Sequence, residues 1–268
     1  INRAGDVTTL GRGGSDLTAV ALAVGLKARA CELYKDVSGI YTADPRIEPQ
    51  AAKIETLTYE EMLELASLGA SVIHARSVEL AGRFRIPLVI RSSFTTEEGT
   101  TVASDSGKLE RVVVRGVTVD RNEAKVTLRN VPDRPGTAAK VFDTVARAHV
   151  NVDMIVQNIS ARGMTDLSFT VPQDSLPKVR TALARLARSL GVPLEEDDGI
   201  AKVSIVGVGM RSHSGVAAKA FAALGRAMIN IQMITTSEIR ISVAVSRKDA
   251  EHAVRALHRA FGLGKPKP

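Results

Sequence analysis

The chain has 268 residues, 44% hydrophobic and 24% charged, a balance that buries one large or two ordinary cores and excludes a disordered polymer. No run approaches the roughly 20 apolar residues of a membrane span, and the first residues lack a basic-then-apolar leader pattern, so no membrane partner is expected and the cytoplasm is. The formal charge of +7 is uneven: residues 1–110 carry 12 Lys/Arg against 15 Asp/Glu, and residues 111–268 carry 24 against 14.

The basic half does not read as a nucleic-acid surface. Its cations spread over helix faces, as at Lys178, Arg180, Arg185 and Arg188, and with 3% aromatic residues and no Trp there is little to stack on bases. A single cysteine, Cys31, forms no internal disulfide and is expected in a core.

In chain order, Leu17 to Leu26 predicts a helix entered through Ser15 and Asp16 as N-caps, Arg29 to Tyr34 a strand, and Ser38 to Pro45 a turn-rich segment. Thr58-Tyr59-Glu60-Glu61 fits a capping box, with Met62, Leu65, Ala66 and Gly69 on one helical face. Val72 to Phe84 predicts another helix, Ile86 to Ile90 a strand, and the Ser/Thr/Gly-rich stretch 92–107 an exit linker. Helices alternating with strands argue for a layered α/β domain.

The second half repeats itself. Val126 to Val171 and Val203 to Val245 share a strand, a loop ending in Gly, a helix and two strands; Val150 to Ile155 answers Ile229 to Ile234. Each closes with an amphipathic helix, Leu176 to Leu190 and Ala250 to Phe261, one strand short of a ferredoxin-like βαββαβ unit. Val192 to Glu195 supplies that strand to the first unit. For the second, Val112 to Val117 is the candidate, which makes that unit discontinuous with the first inserted in it. The expected partition is 1–110, 111–119 with 200–268, and 120–199.

The sharpest chemical signal is Gly5 to Asp16, which contains Gly11-Arg12-Gly13-Gly14-Ser15-Asp16. Glycines admit close backbone approach, a helix N-terminus attracts anions, and Arg12 offers a planar fork for a carboxylate. It is neither a P-loop nor a dinucleotide fingerprint, and spacing alone leaves open whether it holds a ligand or only caps a helix. His74, His149, His213, His252 and His258 show no metal-ligand spacing.

The run Gly5 to Asp16, then Tyr41-Thr42-Ala43-Asp44-Pro45-Arg46, then Thr58 to Ala66 with Gly69-Ala70, resembles aspartate kinases of the amino-acid kinase family. Asp133-Arg134-Pro135-Gly136 and the doubled units resemble the tandem ACT domains that these enzymes carry as amino-acid sensors. The resemblance implies the C-terminal part of an αβα-sandwich kinase domain followed by two ferredoxin-like ACT domains. It also implies ATP-dependent phosphorylation of L-aspartate to 4-phospho-L-aspartate, with Mg²⁺ bridging the phosphates.

By the same resemblance Arg12 and Ser15 hold aspartate, and Asp16 orients the catalytic lysine. Lys35, Asp36, Tyr41, Arg46 and Ser71 occupy nucleotide-contact positions, while Asp44 and Pro45 shape a turn. The effector pocket takes Asp133, Gly136, Ala138, Asp153 and Gln157 from one unit with Asn230 and Ile231 from the other, for threonine, with or without lysine. Homodimeric pairing of the units is expected.

Three positions depart from the family pattern: Lys35 stands where Thr or Ser is usual, Ser71 where Lys is, and Ala75 where Pro is. Losing the lysine at position 71 weakens nucleotide binding unless Lys35 restores the charge. The family's Lys-Phe/Tyr-Gly-Gly motif is not found in these residues, and the chain opens on Ile1 inside a Gly-rich segment, so a fragment is expected. The alternative is a noncatalytic regulatory subunit or sensor that retains part of the kinase scaffold. The chain alone is expected to yield no aspartyl hydroxamate above background with ATP, aspartate and hydroxylamine, and measurable turnover would contradict this reading.

Overall fold

The computed structural model describes residues 3–6, 8, 11, 13–68, 72–104, 113–158 and 163–264. The first unit runs α1 (Gly14–Gly25), β1 (Cys31–Lys35), β2 (Thr56–Thr58), α2 (Tyr59–Ser67), α3 (Ala75–Phe84), β3 (Leu88–Ser92) and β4 (Thr100–Ala103). Its mixed sheet has the order β1-β3-β4-β2, with β1–β3 and β2–β4 parallel and β3–β4 antiparallel. Alternation along the strands buries Cys31, Leu33, Leu88 and Ile90 against Val20, Met62, Leu65 and Val78 from the helices. Each such side chain contributes about 1.5–3 kcal/mol when fully buried.

Local chemistry sets the helix starts. Thr58 accepts from the Glu61 N–H while Glu61 accepts from the Thr58 N–H, so the expected capping box is formed. Helix α1 differs from expectation. Its N-cap is Gly13 in the left-handed region, with no side-chain cap, and Ser15 and Asp16 lie inside the first turn. The third helix begins at Ala75, later than Val72, because the His74 imidazole accepts the Arg76 N–H and starts the helix there. The stretch 92–107 is not a plain linker: β4 lies inside the sheet, bonded to β3 on one side and β2 on the other. Four residues, Thr100-Thr101-Val102-Ala103, in a turn-rich context carry too little periodicity to announce a strand.

The next unit comprises β6 (Glu123–Pro132), α4 (Thr137–Arg147), β7 (Ile155–Gln157), β8 (Met164–Pro172), α5 (Leu176–Leu190) and β9 (Leu194–Asp197), in the antiparallel order β7-β8-β6-β9. The last comprises β10 (Ile200–Val206), α6 (Val216–Arg226), β11 (Ile231–Thr236), β12 (Arg240–Ser246) and α7 (Ala250–Phe261). Its fourth strand is β5 (Gly116–Asp120), which precedes the middle unit and gives the order β11-β12-β10-β5. The two sheets thus have the same layout, with β5 in the place that β9 holds. Strand β5 begins at Gly116 rather than Val112, which lies outside the described residues.

The first and last units share their cores. Ala43, Ile47 and Ala51 pack in the last unit's apolar cluster, and Val206 packs in the first unit's. Glu61, fully buried, accepts the Val208 N–H at 3.1 Å and faces Arg115 at 3.5 Å, while Glu64 pairs with Arg240 at 3.0 Å.

Candidate functional site

The start of α1 is built by backbone conformation. Gly13 has φ 75°, and a Cβ there would stand 2.4 Å from the His74 ring, so only glycine lets the α1 loop close against the entry to α3. In the first turn Ser15 is exposed, and Asp16 is buried with its carboxylate 2.6 Å from Lys35 Nζ at the end of β1. The sequence reading gave these two residues separate tasks; the fold joins them in one ion pair beside a helix N-terminus. Arg12 and Ser71 lie outside the described residues.

A cavity of about 630 Å³ begins at Asp36, the residue after Lys35, and is lined by Asp36, Tyr41, Asp44, Arg46 and residues between them, together with Val117, Thr118 and Val119 of β5. Three of the five expected nucleotide residues therefore meet in one concavity of ligand size. Pro45 and an Asp44–Arg46 fork shape its rim: Asp44 accepts the Arg46 N–H at 2.9 Å and pairs with the guanidinium at 2.7 Å. Those hydrogen bonds hold the Asp44 carboxyl below its ordinary range. Beneath the site, burial and the neighbouring Asp16 carboxylate push the Cys31 thiol up, which keeps it protonated.

The expected effector residues are spread along the middle and last units. Gly136 is the left-handed N-cap of α4 (φ 89°), as Gly215 is of α6 (φ 85°), and neither helix has a side-chain cap. Ala138 lies in the first turn of α4, and the Asp133 N–H donates to Gly163 O. Gln157 ends the exposed edge strand β7; exposed Asn230 and half-buried Ile231 stand at the start of edge strand β11. Neither the cavity above nor a second of about 540 Å³ between α2 and the 208–212 turn is lined by any of the seven.

Asp153 instead reaches across the joint between the two units and bonds to Lys202 Nζ, whose other close partner is Glu123 at 2.7 Å. Lys202 is 79 residues after Glu123, the offset of the repeat, so equivalent positions of the two units meet at the joint. Next to them Met154 and Met233, also equivalent, pack together with Ile200 and Ala244. Lys125 Nζ bonds Gln232 Oε1 at 2.5 Å. The sequence reading missed this ion cluster. The repeat offset contained the signal, since opposite charges at equivalent strand positions of facing units can pair.

Burial would discharge Lys202, but the attraction of Glu123 and its bonds to both carboxylates outweigh that and hold the ammonium above its usual range. Burial also raises the Glu123 carboxyl, with Lys202 pulling it back.

Family models match residues 1–92 (amino acid kinase family) and residues 126–188 and 203–261 (ACT domain). The fold and the loops therefore define an amino-acid kinase segment joined to a pair of ACT domains. An aspartate kinase of Pseudomonas putida is 50% identical over 268 residues, 99% of this chain, and the chain spans 65% of that relative's length. The crystal structure of Escherichia coli aspartokinase III in complex with aspartate and ADP (R-state) is 31% identical with TM-score 0.79, covering 96% of this chain and 58% of that one. Its complex with lysine and aspartate (T-state) gives 31% and 0.74 over 97% and 57%. The regulatory subunit of aspartate kinase from Thermus thermophilus is 42% identical with TM-score 0.54, over 56% of this chain and 99% of that one. This chain belongs to the aspartate kinase family.

Replacing Lys202 by Met leaves two carboxylates at the joint without their cation, and is expected to cost about 3–5 kcal/mol at neutral pH. In that variant the folded pKa of Glu123 lies further above its unfolded value. The folded protein therefore binds the extra proton at low pH and loses stability as pH rises through the folded pKa. Chemical denaturation across pH checks this: the deficit against the parent protein should shrink toward pH 4.5, the ordinary glutamate value, and grow toward neutrality.

Proposed function

We propose that the chain carries the nucleotide-facing part of the kinase site and the amino-acid sensor of a feedback-regulated aspartate kinase, which phosphorylates L-aspartate with ATP in the first step toward lysine, threonine and methionine. The observation that carries this reading is the meeting of Asp36, Tyr41 and Arg46 around one cavity of about 630 Å³, with the Asp16–Lys35 ion pair held at the residue that precedes Asp36 in the chain. Phosphoryl transfer brings an anionic nucleophile to an anionic phosphate, so cations and N–H donors must neutralise and align both. Arg12 and Ser15 hold the substrate carboxylate in this reading, and Asp36, Tyr41, Arg46 and Ser71 hold the nucleotide. The ADP- and aspartate-bound form of the E. coli relative supports this ligand set.

Mg²⁺, which the family resemblance implies, would neutralise phosphate charge when bound with the nucleotide at the cavity that Asp36, Tyr41 and Arg46 line. Lys35 supplies the protein's own cation there, held by Asp16. The partition that goes with this reading is residues 1–110 for the kinase part, 120–199 for the inserted sensor and 111–119 with 200–268 for the second. The pairing of β5 with β10 supports it.

The sensor reading assigns effector binding to Asp133, Gly136, Ala138, Asp153, Gln157, Asn230 and Ile231, with threonine, lysine or both as ligand. The uncapped N–H groups at the start of α4 suit an amino-acid carboxylate. Homodimeric assembly is supported by the two edge strands, where Ile155 and Ile234 stand exposed at equivalent positions. The lysine-bound form of the E. coli relative supports the effector class.

Two measurements test the reading. Lys35→Thr should weaken Mg·ATP binding by isothermal titration roughly tenfold, the effect of one lost charge-assisted contact, and unchanged affinity would remove Lys35 from the site. Gln157→Ala should abolish the threonine- or lysine-induced rise in melting temperature while leaving the unliganded protein within about 0.5 kcal/mol of the parent. Retained binding would remove Gln157 from the pocket.

A further inference from the structure

Every residue from Asp36 to Ile47 lines the 630 Å³ cavity except Thr42. Thr42 is turned the other way, 9% exposed, and each of its polar groups is used. Its N–H donates to Ala52 O at 2.9 Å, and its carbonyl accepts the Val117 N–H of β5 at 2.8 Å. Its hydroxyl donates to Leu263 O at 3.0 Å and accepts the Ala52 N–H at 2.9 Å. With those roles filled, the remaining bond, 2.9 Å to His258 Nε2, has the imidazole as donor. His258 is 1% exposed on α7, and burial lowers its pKa, which favours the neutral ring.

Three of these partners, Val117, His258 and Leu263, belong to the last unit or its exit. The same helix reaches the segment again where Arg255 Nη1 donates to Ile47 O at 3.4 Å, and the chain after it bridges Ala51 through Gly264. The cavity wall is thus suspended from a sensor unit by its hidden face, at a residue that cannot touch the ligand.

We propose that Thr42 and His258 are positioning residues for the nucleotide: through them the place of α7 sets the place of the cavity-lining backbone, and so the affinity for nucleotide. This rests on the reading of the cavity as the nucleotide site. A side chain of equal shape without the hydroxyl leaves the His258 N–H, the Ala52 N–H and Leu263 O unpartnered in a buried place, and the segment relaxes from the wall it forms.

The test is Mg·ATP titration of the full chain with hydrogen exchange on the same samples. Thr42→Val and His258→Leu should each weaken Mg·ATP binding roughly tenfold and speed exchange across residues 40–53, with exchange in residues 123–197 unchanged. Thr42→Ser and His258→Gln, which keep the donor and acceptor, should stay within about twofold of the parent. A folded Thr42→Val chain that binds Mg·ATP as tightly as the parent overturns the proposal, as does equal weakening by Thr42→Ser and Thr42→Val. A parent chain whose 40–53 segment is protected but which binds no Mg·ATP overturns the nucleotide reading of the cavity, and the proposal with it.

Discussion

Strand β5 must satisfy two neighbours at once, and the architecture follows from that demand. On one edge it pairs antiparallel with β10 from Gly116–Val206 to Asp120–Lys202. On the other, the Val117 N–H goes to Thr42 in the kinase segment. A strand at a sheet edge ordinarily leaves a row of groups to solvent or to a stray partner. Here part of that row is spent on the loop that walls the cavity, which Val117, Thr118 and Val119 also line. The kinase segment and the ACT unit therefore share a strand that belongs to the sheet of one and the wall of the other.

Much of this fold was legible because its signals are local. The Thr58–Glu61 capping box formed as read, and the ends of α5 and α7 fall at Leu176, Leu190, Ala250 and Phe261, where the amphipathic pattern put them. Strands β2 and β4 were not legible. They are three and four residues long, and neighbouring strands define them more than their own pattern does. The α1 entry was misread for a related reason: Ser15 and Asp16 are good caps by type, but a left-handed Gly13 already turns the chain, and Asp16 is needed by Lys35.

The site shows the same division. The family resemblance named Asp36, Tyr41 and Arg46, and these three line the cavity. The long-range pairings had no local sign. Nothing near Lys202 in the chain announces Glu123 and Asp153, and nothing near Thr42 announces a histidine 216 residues away. Such contacts exist only once the sheets are stacked, and there the low dielectric makes each of them consequential. The exception is the repeat, whose constant offset turns a long-range question into a local one.

The placement of one ACT unit between the strands of the other also orders events in time. During synthesis β5 leaves the ribosome before its partner β10 has been made, and at about 5–20 residues per second it waits several seconds. In that interval the intervening unit has its whole sequence and its own core of Val126, Phe169, Val179 and Leu183. Once folded, its ends lie side by side, with Lys125 near the start of β6 paired to Asp197 at the end of β9. A long, floppy loop becomes a short rigid one, and the entropy of closing it falls before β10 arrives. The inserted ACT unit is thus also an assembly clasp, which brings the last unit's two halves near each other.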